Sequence, residues 1–198
     1  MGDPIPQINE RRLFAEWMLI FLSFPLGGIM ALAFAGPMED AVSGALSGAV
    51  AGVVIGTAQL IVLRRHVGMT AGWLFSTATG LALGNAVGVL LTGGGTQTVD
   101  LLIVGATAGA AVGIVQWALL REYLQRTILW PPVVTLAWPL GWLVTANIGT
   151  NLRMGYAVFE SIGGLVFAAL TGAILMSMAR ASNAEARRKA DELPEASA

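Results

Sequence analysis

The stretch GALSGAVAGVVIGTAQLIVLRR, residues 44–65, decides how the rest of the chain is read. Its glycines stand at Gly44, Gly48, Gly52 and Gly56, in an apolar run that reaches Gln59 and then Arg64-Arg65. A four-residue interval places these glycines on one face of an α-helix, along about 18 Å of axis. In lipid no hydrophobic force drives one helix onto another, so association relies on close backbone approach across such stripes of small residues. The stretch therefore predicts a membrane-spanning helix packed tightly on a neighbour.

The pattern returns 57 residues later, in LLIVGATAGAAVGIVQWALLRE, residues 101–122. Gly48, Gly52, Gly56, Gln59 and Arg64 correspond to Gly105, Gly109, Gly113, Gln116 and Arg121. The register continues outward: Trp17, Trp73 and Trp130 are equivalent, as are Gly28, Gly84 and Gly141. A degenerate third copy holds Gly164, Gly172 and Arg180, with Leu175 at the glutamine position and Ala168 at the middle glycine. The stretch between the first two copies adds a ladder of its own, at Gly72, Ser76, Gly80, Gly84 and Gly88. A fixed period of this length marks a repeated supersecondary unit. Here the unit is a helical hairpin, at about 11–66, 67–125 and 126–180, and tandem hairpins of one orientation predict a ring or a stack.

Composition agrees. Of 198 residues 56% are hydrophobic and 12% charged, half the charge of a soluble domain. Six stretches meet the requirement of about 20 apolar residues: Leu13–Ala35, Ala41–Leu63, Ala71–Leu91, Leu101–Tyr123, Trp130–Ile148 and Tyr156–Met178. Backbone groups cannot go unpaired in hydrocarbon, so the expected fold is all-α with six transmembrane helices. The apolar run after Arg11-Arg12 is too long for a signal peptide and is expected to be retained as the first span. Ten of the eleven Lys and Arg fall at one end of these spans, and Arg153 alone at the other. That bias predicts both termini in the cytoplasm of a bacterial cell, a transmembrane domain over 1–180 and a charged cytoplasmic tail over 181–198. Trp17, Trp73, Trp117 and Trp130 lie near the cytoplasmic ends, where indoles are expected to anchor at the lipid interface.

Zero Cys and one His exclude disulfides, thiolate metal sites and histidine clusters. A net charge of −1 with no basic face excludes nucleic acid as a partner. The expectation is no catalytic residue, no cofactor and no metal. His66 is read as a solvated loop residue with no acid beside it. Glu16 and Glu160 each lie within about a turn of an interface, where they reach water. No acid, Lys or Arg stands at mid-bilayer, which counts against ion-coupled transport. The polar side chains left inside the spans are Gln59, Asn85 and Gln116, each able to bond a neighbouring helix or to line a passage. Pro139 interrupts the fifth span, whose Trp138 and Trp142 share a face.

The ending G-x-x-Q-[LW]-x-x-L-[RL], present at Gly56–Arg64 and Gly113–Arg121, resembles a group of bacterial multi-pass proteins whose membrane repeats read like QWLVLRR. That resemblance implies tandem transmembrane hairpins and no assigned activity. Mitochondrial carriers, also built of three hairpins, are excluded, because their P-x-[DE]-x-x-[KR] signature survives only as Pro37-Met38-Glu39. Two functional expectations follow. The first is a structural or accessory subunit packing through the glycine faces of Gly44–Gly56, Gly80–Gly88 and Gly105–Gly113 against another membrane protein or itself. The alternative is a small channel or facilitator for a neutral solute, which requires Gln59, Asn85 and Gln116 to converge on one axis.

Overall fold

The computed structural model describes residues 7–147 and 156–192, the last helix with its side chains from Ser161 onward. Every regular element among the described residues is helical: α1 (Glu10–Met18), α2 (Ser23–Ala35), α3 (Ala41–Val67), α4 (Gly72–Thr92), α5 (Thr98–Leu120), α6 (Trp130–Asn147) and α7 (Tyr156–Glu192). A 3-10 turn, Leu19–Leu22, joins α1 to α2 in one span, and a second, Thr127–Leu129, leads into α6. Among the described residues six segments are long and apolar enough to cross a membrane, consistent with an integral membrane protein.

The termini follow from local chemistry. Asp40 and Ser43 form a capping box at the start of α3: Ser43 N donates to Asp40 Oδ1 at 2.8 Å, and Asp40 N to Ser43 Oγ at 3.0 Å. The Ser43 backbone bond also holds the Asp40 carboxyl below its ordinary range. At the far end Gly68 turns left-handed, at φ 71°, and donates its N–H to Arg64 O. Without a Cβ it enters that region at little cost and closes the helix.

Most helix ends differ from the sequence reading by a few residues, as α3 does in running to Val67 and α5 in starting at Thr98, and three differences have a structural cause. The first span is not one unbroken helix. Pro25 lacks an N–H and its ring crowds the carbonyl four residues back, so the chain tightens to 3-10 geometry just before it. The fourth span stops at Leu120 rather than Tyr123, in consecutive turns where Glu122, Tyr123 and Leu124 donate back to Leu119 and Leu120. The last helix passes Met178 and continues to Glu192, through much of the segment read as a charged tail. Tertiary contacts hold this extension. Asn183 exchanges a reciprocal pair of 2.9 Å bonds with the Ile8 backbone, Arg180 pairs with Glu10, and Ser182 Oγ accepts from Gln125 N. The Ile148 boundary and Arg153 lie outside the described residues, as does the Glu160 side chain.

The spans close into a ring. Each packs against the next in sequence, and α7 returns onto α1 and α2. The glycines decide how closely. A Cβ on Gly48 would lie 2.3 Å from Leu81 O, one on Gly52 2.5 Å from Ala78 Cα, and one on Gly109 2.6 Å from Val134 O. The α4 ladder faces the next helix in the same way, with Gly80 against Val112, Gly84 against Ala108 and Gly88 against Val104. Gly44, Gly56, Gly105 and Gly113 meet Asn85, Thr77, Pro139 and Pro131. In the third sector Gly164 and Gly172 receive Phe24 and Trp17. All ten ladder glycines thus face neighbouring spans of their own chain, and each even-numbered span seats its glycines on the odd-numbered span that follows it around the ring.

Candidate functional site

The half of the ring nearest the arginines is solid. Trp17, Trp73 and Trp130, one from each odd-numbered span, meet inside it with no exposed surface. The Trp130 ring centroid lies 6.2 Å from that of Trp17 and 5.9 Å from that of Trp73. These three are not interfacial anchors, as the sequence reading placed them. Close glycine crossings draw the odd-numbered spans together until their indoles fill the middle. Trp117 alone of the four remains half-buried, with Arg121 over its ring at 5.6 Å.

An indole buried in an apolar core needs an acceptor for its N–H. Trp73 Nε1 donates to Gln59 Oε1, and Trp130 Nε1 to Gln116 Oε1, each at 3.0 Å. Gln116 Nε2 then donates to Thr77 Oγ1 at 2.9 Å and to Gln59 Oε1 at 3.2 Å. Gln59 Oε1 takes two donors, which fixes its amide orientation, since the flipped form would aim its NH2 at both of them. Gln59 Nε2 is left buried without a partner among the described residues. In the third sector, where Leu175 replaces glutamine, Thr171 Oγ1 accepts from Trp17 Nε1 at 2.9 Å.

Gln59 and Gln116 were singled out in the sequence as polar groups inside the spans, and Trp73 and Trp130 as interfacial anchors; that they pair, and that the two threonines join them, was not read. A signal for the indoles exists, because both Gln–Trp bonds span 14 residues. Thr171 carries no such signal, being one turn displaced from the repeat position.

Asn85 does not join this network. It lies eight residues beyond Thr77 on α4, about 12 Å along the helix, and its Nδ2 meets Met38 Sδ at 3.7 Å. Gln59, Asn85 and Gln116 therefore do not share one lining. Asn85 instead borders a hollow in the half of the ring away from the arginines, about 100 Å³ in volume. The hollow has a physical cause: Gly28, Ala31, Ser47, Ala51, Gly163 and Gly164 line it where the other half has indoles. Phe24, Trp138 and Phe167, with centroids 4.9–5.8 Å apart, also line it, packed against one another. The Gly36–Met38 turn forms part of its wall at the end of the ring.

At the opposite extreme, Glu16 accepts from Arg12 Nε at 2.8 Å and lies 3.2 Å from His66 Nε2 and 3.7 Å from Arg65. His66 is therefore not a solvated loop residue without an acid. It ends α3 with its side chain buried, because closing the ring brings the first span against the second. Among the described residues no three His, Asp or Glu side chains come together as a metal site would need. Comparison with protein-family models, curated proteins and solved structures finds no match to this chain.

Proposed function

We propose that this chain is a non-enzymatic accessory subunit of a larger complex in a bacterial cytoplasmic membrane, with both termini in the cytoplasm. One observation carries the reading against the alternative of a channel for a neutral solute: the ring is filled across its axis by Trp17, Trp73 and Trp130. A conduit needs polar groups free along that axis, whereas Gln59 and Gln116 bond to the indoles and to each other. The ladder glycines already hold neighbouring spans. A partner would therefore meet the outer apolar side chains, such as Phe75, Leu83 and Leu90, or the polar extension of α7 beyond Arg180. The charge bias supports the orientation.

Purification from native membranes in mild detergent, with native mass and co-purifying proteins read together, tests the proposal. A larger partner in fixed stoichiometry is the expected result. A homo-oligomer that passes glycerol across liposomes faster than protein-free vesicles would overturn it.

A further inference from the structure

We propose that the hollow half of the ring is a binding site for an uncharged, ring-sized molecule that carries a hydrogen-bond acceptor. The inference is independent of any partner subunit. Its first support is chemical. Asn85 presents an amide N–H whose contact among the described residues is a thioether sulfur at 3.7 Å, a weak acceptor. A carbonyl or ether oxygen in the hollow would replace that contact with a full hydrogen bond.

The second support is shape. Phe24, Trp138, Trp142 and Phe167 give the site aromatic surface, and the small residues opposite leave the space. A closed apolar cavity of about 150 Å³ takes up benzene. This one encloses about 100 Å³, less than that, but it is not closed: its wall includes Gly36–Met38 at the end of the ring, so a ring would enter with its substituent left outside. None of the lining side chains among the described residues is ionisable, which selects against charged ligands. An apolar, aromatic-lined recess with a single well-placed amide is the usual form of a small-molecule site. The same chemistry is met by a free aromatic ketone and by the ring of a membrane-dissolved quinone whose tail leaves through the mouth.

The test uses the full chain in detergent and 4′-fluoroacetophenone, a neutral ring with one carbonyl, followed by its 19F line width. Saturable broadening beyond that in empty micelles, reversed by unlabelled acetophenone, is expected. 4-Fluorocumene, which has no acceptor, should bind about five- to tenfold more weakly, the worth of one neutral hydrogen bond. Asn85→Leu should remove that difference, and Ala31→Leu should exclude both probes. A decyl-tailed benzoquinone that competes at far lower concentration than acetophenone would assign the site to a membrane-dissolved ligand; equal competition would assign it to a free one. Wild-type line widths equal to those in empty micelles would overturn the proposal. So would equal binding of the two probes, and neither result depends on a variant folding.

Discussion

Gln59 and Gln116 occupy equivalent positions in two copies of one repeat, yet their replacement by leucine should have unequal effects. Leucine is the residue the third copy carries there, at Leu175, fully buried in the same core. Gln116→Leu removes the one acceptor of Trp130 Nε1 among the described residues and leaves that buried indole N–H without it. Such a group costs about 1–3 kcal/mol. Gln59→Leu likewise strands Trp73 Nε1, but it also removes the unpartnered Gln59 Nε2, a penalty of the same kind. The two terms offset, and Gln116 Nε2 keeps its bond to Thr77. Gln116→Leu should therefore be the less stable variant by about 1–3 kcal/mol. Reversible unfolding in mixed micelles of increasing SDS fraction, followed by tryptophan fluorescence, gives both values under one condition. Equal destabilisation would refute the reasoning, because it would mean that Gln59 Nε2 is satisfied in the folded protein.

Three further outcomes are expected. Gly52→Leu and Gly109→Leu should each lower stability by more than about 2 kcal/mol, as overpacking against backbone does. Native mass in detergent should not change in molecules that remain folded, since these glycines face neighbouring spans; partner loss without destabilisation would contradict that. The Asp40 cap is pH-dependent: its carboxyl titrates below its ordinary value because the Ser43 N–H favours the charged form. Its contribution is complete above the unfolded-state value and disappears as pH falls through the lowered one. The protection of the Ser43 amide relative to its intrinsic exchange rate should fall over that acid range, and Asp40→Ala should lower it at every pH. Finally, the chain has no cysteine, so Ala190→Cys and Thr96→Cys each supply one reporter. An impermeant maleimide added to intact cells should label the second and not the first, and the reverse pattern would invert the orientation.

Much of the architecture was legible because membrane physics leaves few solutions. Apolar runs separated by short turns must be helices in hydrocarbon, and glycines at intervals of four must face something close. A period of 56–59 residues, seen in Gly52 and Gly109 or Trp73 and Trp130, made three similar hairpins the simplest organisation. Helix ends were harder to read. Leu120 ends its helix in local turns, whereas Glu192 is reached because Asn183 and Arg180 hold the N-terminal segment, a contact between residues far apart in the chain.

The number of apolar spans, the bias of basic charge to one end, the glycine faces and the repeated pair of glutamines inside the spans were all readable along the chain, since each is a property of one helix or of its repetition. What those features face was fixed by how the helices pack. Trp17, Trp73 and Trp130 have a depth along their helices that fits a lipid interface as well as a core, and helical spacing does not say which side of a helix meets lipid when almost every side is apolar. Packing of successive spans around the ring turns the indoles inward, supplies Gln59 and Gln116 as acceptors, and brings Glu16 to His66. It also sets small side chains around the other half of the axis, where Asn85 borders a hollow. Apart from the two Gln–Trp bonds, whose common 14-residue spacing is a signal in the repeat, these relations join residues that the chain separates by tens of positions, and no local pattern encodes them.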